Sequence, residues 1–490
     1  MFSHDRPWLL FGVAGLIVAA AGLAAPPGKQ QARWLLGGAT LGLLGLLGCG
    51  FAIGARGWSF DSLNPLLGEL STNQFGMGLG AFLAILSLTM LLAFGLARFG
   101  YFRGDLFVSG AVVGCSALLL LFIAFPVAKA LSAAFIDEDG RWALSAVFVR
   151  ICDARIWGLG CFAGAVQCGV AWNTLLLALA CALGTTVLGT MMALLAERNA
   201  GPRIQTPLRV IALLPIITPP FVVGLGLILL FGRAGVVNQF LEYAFDITPT
   251  RWFYGFLGTW IAQLFAFTPI AFMIMRGVVQ GLAPSLEEAA QILHADRKQT
   301  FFTVTLPLLK PGLANAFLVG FIESIADFGN PIVVGGQFSV LSTDIFFAIV
   351  GAQFDQGRAA ALAWILTLFA LGVFGMQRGL LGKQNYTTVS GKGDSGIPMP
   401  LPDGLKRTLN GVVYPWLAFT MVVYVFAFVG GFVQTWGRDY TFTLAHFKTA
   451  FGLEWGQFGL VWSGTAWNSL FTTLKLSGLS APLTAGIGLL

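Results

Sequence analysis

The chain has 490 residues, of which 57% are hydrophobic and only 10% charged, against about 25% charged in ordinary soluble domains. A soluble core cannot absorb that much apolar surface, so a water-soluble globular fold is excluded. The formal charge is +6, but the basic residues stand singly in short loops between apolar runs, which fits membrane orientation and lipid contact and argues against a nucleic-acid partner.

Runs of about 20 apolar residues, the length a helix needs to cross roughly 30 Å of hydrocarbon, recur from end to end. In lipid the backbone must pair internally, so these runs are helices. The sequence predicts an all-α polytopic membrane protein with about 11 transmembrane helices. They are placed at 8–25, 34–54, 78–97, 106–130, 171–196, 208–231, 253–276, 312–334, 359–377, 410–433 and 466–490. The first run lacks a small-residue cleavage site and is read as a retained span. Lys and Arg are denser in the loops around Arg98, Arg203, Arg297 and Arg378 than in the alternating ones, which places those loops in the cytoplasm and the N-terminus outside.

Cys49, Cys115 and Cys181 lie within apolar runs and read as small buried hydrophobes. Cys152, Cys161 and Cys168 share the loop before the fifth span, which by this topology faces an oxidising periplasm and has room for one disulfide. No spacing resembles a zinc site. The three histidines, His4, His294 and His446, fall outside the spans, which leaves an intramembrane enzyme without clustered side chains at membrane depth.

Prolines interrupt two spans, at Thr218-Pro219-Pro220 and Thr268-Pro269, either as kinks for alternating access or as packing bends. The fifth span opens with Ala171-Trp172-Asn173-Thr174-Leu175 and the eleventh with Ala466-Trp467-Asn468-Ser469-Leu470, an internal repeat of the kind found in transporters built from duplicated units. Residues 1–170 are therefore read as four N-terminal spans and a periplasmic loop, and 171–380 as a complete core. A polar cytoplasmic linker, 381–409, with Gly391-Lys392-Gly393 inside it, leads to the start of a second unit at 410–490. That second unit stops after a single core span, so a fragment of a longer fused protein is expected.

The loop at 281–312, inside the core, is amphipathic. Ser285 is expected as an N-cap with Glu288 completing a capping box. Glu287 and Glu288 then sit near the positive end of the helix dipole, and Ala289 and Ala290 offer a side open to close approach. A second helical run from Arg297 is expected to end at Pro307 and Pro311.

These residues resemble the permease family of ABC importers, whose cytoplasmic loop carries Glu-Ala-Ala, then Gly, then Ile-x-Leu-Pro at fixed spacing. Glu288-Ala289-Ala290, Val304, Leu306 and Pro307 fall on that spacing, and His294 stands where the family has Gly. A His must take strain at φ > 0 or bend the loop differently. The resemblance implies a short coupling helix, with Glu287 beside the motif, docking on a dimer of cytoplasmic ABC ATPase subunits in the bacterial inner membrane. It also implies a periplasmic substrate-binding protein as the second partner. ATP would sit on the partner subunit and no cofactor in this chain, consistent with the lack of any Gly-Lys-Ser/Thr phosphate loop. The chain is thus a transport subunit rather than an enzyme. An ion-coupled secondary transporter, the alternative, also has repeats and broken helices but needs no docking loop.

Ionisable groups within a span default to functional candidates. Glu323 and Asp327 are four apart, so on a continuous helix both carboxylates share one face, and Gly329 and Pro331 are expected to break that helix next to Asn330. Oxygen donors suit a hard, highly charged cation, and equally a structural pairing with Arg or a backbone N–H. The stretch Ala326-Asp327-Phe328-Gly329-Asn330-Pro331, with Gly335-Gly336 and Tyr386 downstream, resembles the ferric-iron branch of the family. Similar segments occur in relatives carrying phosphonate or thiamine. Glu323, Asp327 and Asn330 are the candidate cargo pathway.

Overall fold

The computed structural model describes residues 9–54, 57–58, 65, 78–137, 142–163, 168–198, 201–352, 354–381, 399–457 and 459–489. Nine of the described helices are long and apolar enough to cross a membrane, and shorter apolar helices join them. The protein is a polytopic all-α membrane protein. Strand structure among the described residues is limited to three two-stranded antiparallel hairpins and one isolated bridge. Every expected span is helical over most of its length. Most of the expected linker, including Tyr386 and Gly391-Lys392-Gly393, lies outside the described residues.

The chain divides into two compact units, 1–129 with 472–490, and 130–471. In the first, α1 (Leu10–Ala24), α2 (Lys29–Ala52) and α3 (Leu79–Phe99) pack through small residues. A Cβ on Gly15 would lie 2.2 Å from the backbone N of Gly42, and one on Gly38 2.3 Å from that of Ala19. Such close crossings maximise van der Waals contact where lipid supplies no hydrophobic drive. The next helix, α4 (Leu106–Phe135), is tied to α3 by Ser109, whose hydroxyl donates to the Ala93 carbonyl at 2.7 Å.

The larger unit includes α5 (Leu144–Ile151) and is built on α6 (Val170–Arg198), α10 (Phe256–Gln280) and α12 (Arg297–Ala326). Phe265, Phe272, Met275 and Phe321 are fully buried there, and Gly189 lets α6 meet the backbone of Phe272. The expected span 208–231 is two helices, α7 (Pro202–Ile217) and α8 (Pro220–Phe231). Pro219 and Pro220 supply no N–H to continue the ladder, and Pro220 opens α8 at a position where Pro is favoured. Pro269, in contrast, sits inside an unbroken α10.

Two expectations about prolines and glycines are corrected. Pro307 and Pro311 do not end the run from Arg297, which continues without interruption to Ala326. Phe301–Thr305 form a π turn immediately before Pro307, so the missing donor falls where the hydrogen-bond register is already shifting. The break near the cargo candidates comes at Asp327-Phe328, and Gly329 and Pro331 lie inside the short helix that follows, α13 (Gly329–Val334).

After α9 (Val236–Phe245), α11 (Pro284–Ile292), α14 (Leu341–Val350) and α15 (Gln356–Leu381), the chain reaches α16 (Asp403–Gly430). The helix α16 packs on the core: Trp416 stacks on Phe265 at 4.4 Å between ring centroids, and Leu409, Val413 and Leu417 are buried with α6 and α10 residues. A short helix, α17 (Ala445–Phe451), lies between two hairpins, and α18 (Trp467–Gly488) closes the described chain. In the loop before α6, Cys161 and Cys168 are joined with Cα atoms 4.8 Å apart, an ordinary disulfide span, and Cys152 is an exposed thiol. Cys181 is buried as expected, whereas Cys49 and Cys115 are only half-buried.

Candidate functional site

The loop that precedes α12 is two helical pieces joined by a sharp bend. The first piece, α11, starts at Pro284 behind an Ala283 N-cap that offers no side-chain hydrogen bond. The expected Ser285 cap and its capping box with Glu288 are therefore not formed. Pro284 pre-sets the backbone angle of the first turn, which moves the start two residues upstream and leaves Ser285 inside the helix. The box lies instead at the second piece, where Asp296 accepts from the Gln299 N–H at 2.6 Å and its own N–H donates to the Gln299 side chain at 3.2 Å.

Between the pieces, His294 has φ +60°. Its N–H donates to the Gln291 carbonyl at 2.8 Å and the Ala295 N–H to that of Ala290 at 3.0 Å. This pair of bonds is a Schellman stop, which normally puts Gly at the left-handed position. His294 therefore takes the bend rather than avoiding it, at a cost of roughly 1–2 kcal/mol of local strain.

The motif residues separate onto two sides of α11. Glu288 and Ala289 are exposed and Ala290 half-buried. Beside them stand Leu286, Ile292 and Leu293, the last two 79% and 81% exposed. These apolar side chains on one side of α11 are not part of the motif, although the spacing 286, 289 and 293 carries the helical period. Leu306 and Pro307 are half-buried in the early turns of α12, away from that apolar side in the sequence.

Glu287, one residue from the exposed Glu288, is buried. Arg198, at the end of α6, donates from Nη1 to both carboxylate oxygens, at 2.9 Å and 2.6 Å. Thr305 of the π turn donates its hydroxyl at 2.7 Å, and the Met399 N–H donates at 3.1 Å. Both charged side chains are almost wholly enclosed, 3% exposed for Arg198 and 5% for Glu287, so each depends on the other to offset its desolvation. Glu197 makes a parallel set of contacts, accepting from Arg209 of α7 at 2.7 Å and from Arg276 and Gln280 of α10 at 2.8 Å and 3.0 Å. The last two residues of α6 thereby hold α7, α10, α11 and the start of α12.

At the cargo candidates the expected shared face is corrected. Because α12 ends at Ala326, Asp327 is in extended backbone, ψ 119°. Its carboxylate accepts from Gln263 Nε2 at 3.0 Å, from Asn330 Nδ2 at 2.9 Å and from the Asn330 N–H at 3.3 Å. Gln263, fully buried in α10, also accepts from Ser324 at 2.6 Å. Asp327 is thus bonded into the helix break, the structural pairing that sequence left open. Glu323 is half-buried, and its carboxylate makes no hydrogen bond or ion pair among the described residues. Asn330 is fully buried with its Oδ1 unpartnered, close to Gly224 of α8. Two carboxylates and one orphan amide oxygen gather at this break, and among the described residues no group of three or more His, Cys, Asp or Glu forms a metal cage.

The family described as binding-protein-dependent transport system inner membrane component matches residues 185–380, which contain both sites. The ferric transport system permease protein FbpB of Actinobacillus pleuropneumoniae is 40% identical over 417 residues, 85% of this chain and 58% of that protein. A Haemophilus influenzae protein bearing the same name is 39% identical over 85% of this chain and 63% of its own length. The sulfate transport system permease protein CysT of Salmonella typhimurium is 35% identical over 40% of this chain and 70% of its own length. The chain spans less than two thirds of the length of the two ferric permeases.

Proposed function

The chain belongs to the family of binding-protein-dependent transport inner membrane components, and on that premise we propose that it is the permease of an ATP-driven importer in the bacterial inner membrane, with ferric iron as cargo. The observation that carries this reading is α11, a short helix fixed from behind by a buried ion pair and presenting Leu286, Ala289, Ile292 and Leu293 outward. An exposed apolar side on a rigid cytosolic element is what a partner protein needs in order to push on the membrane helices. The partner is a dimer of cytoplasmic ABC ATPase subunits, which binds the ATP, and Glu288, Ala289 and Ala290 lie at the contact. A periplasmic binding protein delivers the cargo from the other side.

Iron is supported by the names of the relatives that cover 85% of the chain and by oxygen donors at the Asp327 break, the chemistry a hard cation prefers. Glu323 and Asn330 line the pathway through their unused oxygens, and Asp327 holds the break open. Sulfate is the competing cargo, because a sulfate permease is 35% identical over 70% of its length. The test is uptake by the complete transporter in proteoliposomes, with radiolabelled iron or sulfate outside and ATP inside. Iron uptake that needs ATP and the ATPase supports the reading. Sulfate uptake alone transfers the chain to the other cargo, and uptake driven by an ion gradient without the ATPase refutes the importer.

A further inference from the structure

The docking reading uses Glu287 only as the partner of Arg198, although four hydrogen bonds from three separate segments converge on its carboxylate. The least expected donor is Met399, 112 residues away in sequence and four before the start of α16. Met399, Pro400, Leu401 and Pro402 line a pocket together with Arg198, Glu287 and the π turn. Leu401 is buried in the same core cluster as α6 and α10 residues. Two prolines fix two of the four φ angles in this strap, and Pro402 is the N-cap of α16. The strap is thus a stiff connection between the back of the docking helix and the first turn of α16.

We propose that Glu287 is a positioning residue in a latch that makes α11, the end of α6 and the start of α16 move as one body, so that the docking helix drives α16 directly. The inference rests on the importer reading for its functional meaning. Covalent connection alone passes motion from α11 into its chain neighbours α10 and α12. Without the latch, α16 would receive that motion only through side-chain packing in the core. With it, a displacement of α11 reaches α16 through a carboxylate bonded at once to a guanidinium, a hydroxyl and a backbone N–H. Charge-assisted bonds of this kind are roughly twice as strong as neutral ones, and their enclosure at the Arg198 pair makes slippage costly.

Three variants test it in the complete transporter with its ATPase: Glu287→Gln, Leu401→Ala and Thr305→Val. Glu287→Gln removes the charge, Leu401→Ala frees the strap with every charge still paired, and Thr305→Val deletes one bond. The first readout is iron imported per ATP hydrolysed. For Glu287→Gln and Leu401→Ala this ratio is expected to fall by about five- to tenfold while ATP hydrolysis stays within about twofold, with a smaller fall for Thr305→Val. A merely structural role lowers both quantities together and leaves the ratio unchanged. The second readout is the separation of spin labels at the exposed Lys298 and Lys406. It should stay constant through the ATP cycle in the parent protein and broaden in Glu287→Gln and Leu401→Ala.

If Glu287→Gln does not fold, Leu401→Ala decides alone. An unchanged ratio with an unchanged label distribution in Leu401→Ala overturns the latch. Should the parent protein import no iron with ATP, the functional reading fails, and the label distribution in the resting protein still decides whether Glu287 and the strap hold α16.

Discussion

Truncating Ile292 and Leu293 to Ala removes apolar surface that the permease itself does not use. Both side chains are about four-fifths exposed, 79% and 81%, so their loss opens no cavity and should leave the thermal midpoint of the isolated permease unchanged. On docking, each would bury most of a branched aliphatic side chain, worth about 1.5–3 kcal/mol. Truncation to Ala leaves one carbon of each in place, so the double variant loses about 3 kcal/mol, or roughly 100-fold in affinity. The assay is titration of purified ATPase onto detergent-solubilised permease, followed by fluorescence or calorimetry, with Tyr243→Ala as a control. Tyr243 is 92% exposed and lies in α9, in the connection between two spans that is expected on the periplasmic side. Binding within about twofold of the parent in the double variant would refute the idea that this apolar side meets the ATPase, even if the complex forms by another route.

Other outcomes follow from single geometries. His294→Gly should stabilise the loop by about 1 kcal/mol, because Gly adopts φ +60° without the Cβ penalty, and His294→Val should destabilise it; chemical denaturation in micelles ranks the three. Glu323→Gln should lower iron uptake with an unchanged melting temperature, since the Glu323 carboxylate makes no hydrogen bond among the described residues. Asp327→Ala should lower both, since it removes the acceptor that Gln263 and Asn330 share in the buried helix break, at a cost of about 1–3 kcal/mol. In the loop before α6, a membrane-impermeant maleimide should label Cys152 alone before reduction, and Cys161 and Cys168 only after it; labelling of all three without reductant would exclude the disulfide.

The spans were legible in the sequence because lipid imposes a length and a composition on any helix that crosses it. The breaks were partly legible. Pro219-Pro220 announces itself, whereas the stop at Asp327 depends on bonds from Gln263, 64 residues earlier, that no local pattern contains. The docking loop was legible as a motif and as a bend: the left-handed position expected at 294 is there, with His in place of Gly. Less could be read about its two glutamates. Glu287 and Glu288 are adjacent and chemically alike, and only Arg198, 89 residues away, makes one an anchor and leaves the other in solvent. The Ser285 cap failed for a local reason, since a Pro one residue earlier had already set the first turn.

The unbroken run from Arg297 to Ala326 measures about 45 Å at the usual 1.5 Å rise per residue. One end adjoins the His294 bend and the other is the Asp327 break, so a single rod joins the proposed docking helix to the place where oxygen donors gather. Tilting the part beyond the π turn, Leu306–Ala326, about 32 Å long, by about 5° swings its tip by roughly 3 Å. Opening the route would then need no chain of successive side-chain rearrangements, only a modest rotation about a pivot near the π turn.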